Sequence, residues 1–160
     1  MLTSMSNTIV TRRGFLKQGT LMAAPLWAAV HAPPLVVSAA ETGQRLKVIC
    51  IGGHPDDPES GCAGTLTRYV EAGHSVTVLY LTRGERGIRD KGLAESASIR
   101  SAECEKACQT IGARARFFGQ IDGATEVTRA HVDTMTKLLA EEQPDVIFTH
   151  WPVDTHMDHQ

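Results

Sequence analysis

Residues 41–160 predict an α/β fold of three layers, α/β/α, built around a mainly parallel sheet. Two observations carry this. Apolar runs of strand length alternate with single helix-length segments, and a lone helix between successive strands is the connection that parallel pairing requires. Each run is also apolar throughout and does not alternate with polar residues, which is the mark of a strand buried on both faces.

The elements follow in order. Residues 46–51, Leu-Lys-Val-Ile-Cys-Ile, read as the first strand. Residues 59–72 read as a helix with Ala63, Leu66, Tyr69 and Val70 on one face, and Gly73 sits where a helix stop is expected. Residues 76–81 form the second strand. A polar loop covers residues 82–87 and extends through Lys91 and Gly92. A longer helix spans 93–111 and ends at Gly112, and a short third strand covers 115–118. The third helix begins at Thr125 or Glu126 and runs to residue 142, with Val132, Met135, Leu138 and Leu139 as its buried face. Pro144 breaks it, and residues 145–149 supply the fourth strand. Right-handed crossovers and the Rossmann-like order 3-2-1-4 set strands 1 and 4 side by side. The chain reverses direction between them, which opens a crevice at their carboxyl ends.

Two acid–histidine clusters follow strands 1 and 4. The first is His54-Pro55-Asp56-Asp57 and the second is His156-Met157-Asp158-His159. Either alone reads equally well as a turn or a solvated loop. Together at one crevice they offer imidazoles and carboxylates to a single divalent ion, with a carboxylate left over to handle protons. The residues alone do not say which of Asp56 and Asp57 is the ligand. His150, at the end of strand 4, reads as a hydrogen-bonded structural histidine near the site. Arg100 reads as an ordinary helix-face charge able to pair with Glu103 or Glu105, and Glu85 as part of a glycine-rich turn.

The 160 residues are 42% hydrophobic and 21% charged, the balance of a globular chain of about one domain. With 5% aromatic residues and no basic patch, nucleic-acid binding has no support. Three of the 16 basic residues and none of the 18 acidic ones fall in residues 1–40, so the remainder is mildly acidic. Residues 1–40 resemble a twin-arginine (Tat) signal peptide: Arg12-Arg13, then Phe15-Leu16-Lys17, an apolar stretch over 21–30, and small residues at Ser38-Ala39-Ala40. The apolar stretch is short and Pro25, Pro33 and Pro34 interrupt the segment, so no stable membrane span is expected. The expected partner is the Tat export machinery, and the expected location is periplasmic or extracellular. Cys50, Cys62, Cys104 and Cys108 lack a metal-knuckle spacing and read as small buried apolar residues. Gly52-Gly53 is not a dinucleotide fingerprint, because the third glycine is missing.

The two clusters resemble those of the LmbE-like, or PIG-L, de-N-acetylases. So do Pro58-Glu59, Gly61-Cys62-Ala63-Gly64-Thr65, Thr82-Arg83-Gly84-Glu85-Arg86-Gly87 and the helix from Arg100 to Gly112. The resemblance covers essentially all of residues 41–160. It implies a zinc-dependent hydrolase, or one using another divalent ion, acting on a small molecule or glycoconjugate that bears N-acetylglucosamine. By motif position it implies that His54, Asp57 and His159 hold the metal and that Asp56 is the general base. It further implies that His156 stabilises the oxyanion, that Asp158 orients His156, and that Arg100 contacts substrate. Such proteins continue beyond the third ligand, so the resemblance also implies that residues 41–160 are the N-terminal part of the domain. Two rivals stand beside this expectation: another metal-dependent hydrolase of phosphoesterase type, and a non-catalytic exported carbohydrate-binding protein.

Overall fold

The computed structural model describes residues 43–160. The segment read as an export signal lies outside the described residues. Four strands form one sheet: β1 (Lys47–Gly52), β2 (Ser75–Tyr80), β3 (Arg114–Phe117) and β4 (Val146–Phe148). Their order is β3-β2-β1-β4, and every pairing is parallel. The expected order 3-2-1-4 is therefore the observed one. Helices α1 (Asp57–Glu71), α2 (Leu93–Ile111) and α3 (Arg129–Glu142) join the strands, and a short 3-10 turn spans Met157–His159.

Strand alternation divides the core in two. Val48, Cys50, Val76, Val78 and Tyr80 point to one face, where they pack with Leu66 of α1 and with Cys104 and Cys108 of α2. Ile49 and Leu79 point to the other face and meet Leu138 of α3. This arrangement gives the three layers. β1 and β2 lie at the centre with both faces covered, which is why their sequences carry no polar alternation. Leu66 is completely buried. Truncating such a leucine to alanine costs about 2–5 kcal/mol. Cys104 and Cys108 behave as the small buried residues expected, whereas Cys62 is only half-buried, with its sulfur 3.3 Å from that of Cys50. No helix among the described residues is long and apolar enough to cross a membrane.

The element ends have local causes. α1 starts two residues earlier than expected, at Asp57, because Pro58 fits the first helical turn, where its missing N–H is no loss. α2 ends at Gly112 with φ 83°, and a β-carbon there would stand 2.9 Å from Cγ1 of Val70 on α1. Gly112 therefore serves both the left-handed cap and the close approach of two helices. α3 starts at Arg129, later than expected, because Thr128 caps it by accepting the His131 N–H at 3.1 Å. Thr125 and Glu126 are engaged elsewhere: Thr125 bonds Asp158, and the Glu126 N–H bonds Gln120.

Buried polar groups lace together the loops at the carboxyl ends of the strands. Thr82, after β2, donates its hydroxyl to the Gly53 carbonyl after β1 at 2.9 Å. Glu85, buried rather than a plain turn residue, accepts the N–H groups of Arg83 and Asp122. Asp122, after β3, accepts the Arg86 N–H at 2.9 Å. These contacts fix the rim on which the site is built.

Candidate metal centre

His54 sits in the turn after β1, and Asp57 opens α1. His159 arrives from the 3-10 turn after β4. Three of their atoms form a nearly equilateral triangle. His54 Nδ1 lies 3.2 Å from Asp57 Oδ2, His159 Nε2 lies 3.1 Å from the same oxygen, and the two nitrogens are 3.2 Å apart. Ligands about 2.0–2.1 Å from an ion at tetrahedral angles stand about 3.3 Å from one another, so the donor set fits a zinc-sized ion. Two imidazoles with one carboxylate are also a ligand class that zinc accepts.

The far side of each ring is anchored to a carboxylate. His54 Nε2 lies 2.9 Å from Asp158 Oδ2 and 3.4 Å from Asp122 Oδ1. His159 Nδ1 lies 3.4 Å from Asp154 Oδ2. A carboxylate behind a histidine puts the proton on the outer nitrogen and leaves the inner lone pair for an ion. Asp158 is 3% exposed and fully engaged: it also accepts the Gly123 N–H and the Thr125 hydroxyl, both at 2.7 Å. The resemblance gave this carboxylate the orienting of His156. The carboxylate holds His54, because the 3-10 turn points it inward against Gly123 and Thr125. Only the Asp158 backbone N–H meets His156, at Nδ1 and 3.3 Å.

Charge follows from this packing. The contact with Asp57 raises the His54 pKa to about 9, against burial and with help from Asp158. Burial works to raise the pKa of Asp57, but the side-chain and backbone contacts of His54 outweigh it and bring the carboxyl down to about 2. Asp158 likewise falls to about 2: burial is outweighed by the bonds from Gly123, Thr125 and His54.

His150 lies near the site and is hydrogen-bonded, as the sequence suggests. Its ring stacks on that of His159 at 3.9 Å, the planes nearly parallel, and its Nε2 is 3.4 Å from Asp57 Oδ2. That same Nε2 accepts the Gly53 N–H at 3.1 Å. Burial, then the neighbouring His159, lowers its pKa, which keeps it neutral and able to accept. Its lone pair meets the backbone, so it braces the site, and with Asp57 and His159 it also stands close enough to share an ion.

The exposed His156 stands with its ring 4.7 Å from those of both His54 and His159. With Nδ1 accepting from the Asp158 backbone, its neutral form carries the proton on Nε2, free to donate. Asp56 is 65% exposed and faces Arg100, whose Nη2 lies 3.0 Å from Asp56 Oδ2 and also bonds the Pro55 carbonyl. Arg100 thus pairs with neither Glu103 nor Glu105. An open cleft of about 390 Å³ is lined by His54, Asp56, Arg86, Arg100, Asp122 and His156. Asp122 is the residue that sequence reasoning missed. Its signal was position alone, in the loop that follows a parallel strand.

Comparison with known proteins adds ancestry. A model of the PIG-L family, described as GlcNAc-PI de-N-acetylase, matches residues 49–160. The chain is 30% identical over 121 residues to the diacetylchitobiose deacetylase of Thermococcus kodakarensis, covering 71% of this chain and 45% of that protein. The solved N,N'-diacetylchitobiose deacetylase of Pyrococcus horikoshii is 31% identical. It superposes with a TM-score of 0.68, covering 73% of this chain and 46% of that one. The conserved protein TT1542 of Thermus thermophilus is 32% identical with a TM-score of 0.62, over 71% of this chain and 50% of that one. The chain thus spans no more than half the length of these relatives.

Proposed function

The chain belongs to the PIG-L de-N-acetylase family, and from that membership we propose that the whole protein is a zinc-dependent hydrolase. It removes the N-acetyl group from an N-acetylglucosamine-type sugar or glycoconjugate. The observation that carries the reading is the triangle of His54 Nδ1, Asp57 Oδ2 and His159 Nε2, with edges of 3.1–3.2 Å. Its relatives from Thermococcus and Pyrococcus are named for deacetylation of diacetylchitobiose.

His54, Asp57 and His159 would hold a zinc ion, which would supply a Lewis acid able to lower the pKa of a water molecule to about 7. The other roles belong to the chain. Asp56, exposed to the cleft and outside the triangle, accepts the proton of the attacking water. His156 donates a hydrogen bond from Nε2 to the amide oxygen as charge builds there. Asp158 and Asp154 keep His54 and His159 in the tautomers that turn bare nitrogens inward. Arg100 lines the cleft and steadies Asp56. We also propose that residues 1–40 direct export by the twin-arginine route, a reading supported by Arg12-Arg13 and the Phe15-Leu16-Lys17 that follows.

Acetate release from chitooligosaccharides by the whole protein, with and without a chelator, tests the activity. Elemental analysis should find about one equivalent of metal. Protein purified without chelator that holds no metal, or release that persists after chelation, overturns the reading.

A further inference from the structure

Asp56 has a φ of 98°, in the left-handed region. A residue with a side chain is held there at a cost, so the surroundings must enforce it. The Asp56 N–H donates to Glu59 Oε2 at 3.1 Å. The other oxygen of Glu59 accepts the Tyr80 hydroxyl at 2.5 Å. Tyr80 closes β2, is fully buried, and stacks on Phe117 of β3 with ring centroids 5.5 Å apart. Burial, then the contacts with Cys108 and Glu59, push its phenol far above the ordinary range, so it stays a donor. One hydrogen-bonded path therefore runs from the rigid centre of the sheet, through one carboxylate, to the strained turn.

We propose that Tyr80 and Glu59 are positioning residues for the reaction: Tyr80 fixes the Glu59 carboxylate, and Glu59 holds the Asp56 backbone in the conformation that presents its side chain to the cleft. The proposal rests on the reading of Asp56 as general base. Glu59 anchors the backbone of Asp56 while Arg100 anchors its carboxylate, so Asp56 is held from two sides. A proton acceptor displaced by about 1 Å loses on the order of 10²-fold in rate, so the path has leverage without touching substrate. Asp57, the ligand, begins α1 and has its own bonds to His54. Loosening Glu59 should then disturb the base and spare the metal.

The test is a double-mutant cycle in the whole protein, with metal content and melting temperature recorded for each variant. Tyr80→Phe keeps the ring stack and removes only the donor. Glu59→Ala removes the link itself and carries the test if Tyr80→Phe does not fold. Both should lower kcat about tenfold, with KM and metal content within twofold of the parent. Cys108→Ala removes the other contact of the Tyr80 hydroxyl, at 3.4 Å, and should leave kcat within twofold. In an Asp56→Asn background, Tyr80→Phe should have no further effect on the residual rate, because nothing remains to position. Wild-type kcat in both Tyr80→Phe and Glu59→Ala overturns the proposal. So does a tenfold loss that multiplies in full with Asp56→Asn, because the pair is then merely structural. If Asp56→Asn alone turns over at the parent rate, the base reading itself falls and takes this proposal with it. That single variant distinguishes the two failures.

Discussion

The carboxylate of Asp158 meets the imidazole of His54 at 2.9 Å across 104 residues of sequence. This contact ties the loop after β4 to the loop after β1, and it sets which nitrogen of His54 is bare. Replacing Asp158 with Ala frees the ring to rotate and to change tautomer. Metal affinity should fall about 10–100-fold, the usual cost of losing such a support. His156→Ala should keep the affinity near that of the parent. Competition with a chelator of known strength measures both. Equal loss in the two variants would show that Asp158 acts on His156 after all.

The neighbouring aspartates should separate cleanly. Asp57→Ala removes a corner of the triangle, so metal content and turnover should fall together. Asp56→Asn keeps the size and removes the basic oxygen. Turnover should drop by roughly 10²-fold or more, with metal content and KM close to the parent. Elemental analysis beside steady-state kinetics reads both effects. Metal lost from Asp56→Asn and kept in Asp57→Ala would reverse the assignments.

Metal uptake should release a proton. In the ion-free protein His54 has a pKa of about 9, so near neutrality its ring is charged and must lose a proton before Nδ1 can bind. Apparent affinity should rise about tenfold per pH unit up to that value. The ion pair also stabilises the ion-free fold within a window. The His54 part, from a raised pKa, is complete below 6.5 and lost as the pH climbs through about 9. The Asp57 part, from a lowered pKa, is complete above 3.8 and lost as the pH falls through about 2. Both parts are present in full only between 3.8 and 6.5. Calorimetric titration in buffers of different ionisation enthalpy should count about one proton released per ion near neutral pH. No release would mean that His54 is already neutral.

Much of this was legible in the sequence because it depends on periodicity. Runs rich in apolar residues marked the strands, though β3 carries Arg114 and Arg116, and α2 has the predicted ends, since Gly112 is an unambiguous stop. The start of α3 was not legible. Thr125 is claimed by Asp158 through a tertiary bond that no local pattern announces. Asp122 was missed for the same reason: within Gln-Ile-Asp-Gly it looks like a turn former, and only the packing of three loops brings it to His54. The motifs propose His54 and His159 as ligands, and the fold brings their rings together. Which carboxylate supports which ring required coordinates.

Export should depend on the paired arginines. Arg12→Lys with Arg13→Lys keeps the charge and removes the guanidinium groups on which the resemblance to a twin-arginine signal rests. Precursor should then accumulate in the cytoplasm, while the parent is cut near Ala39 or Ala40. Fractionation with N-terminal sequencing follows both. Unchanged export of the double variant would refute the route.

Gly53 offers the sharpest test of how tightly the triangle is built. It is buried, lies between β1 and His54, and gives its N–H to His150. A β-carbon there would stand 2.8 Å from Cδ2 of His159, and 3.3 Å from both Asp57 Oδ2 and the Asp158 carbonyl. The first distance is shorter than any relaxed carbon contact, and two of these neighbours belong to corners of the triangle. Gly53→Ala must push the His159 ring outward, because β1 behind it is fixed by its pairing to β2 and β4. The ring cannot slide freely, since His150 stacks on its flat face at 3.9 Å. The expected outcome is a loss of metal affinity of at least tenfold with little change in melting temperature of the ion-free protein. Overpacking of one methyl group is usually worth about 1–3 kcal/mol, and here most of it should be spent on displacing a ligand from the crevice. Chelator competition and thermal melts of the ion-free form measure the two quantities. A variant that melts much earlier yet binds metal like the parent would show that the triangle shifts as one body and that Gly53 serves only the strand end.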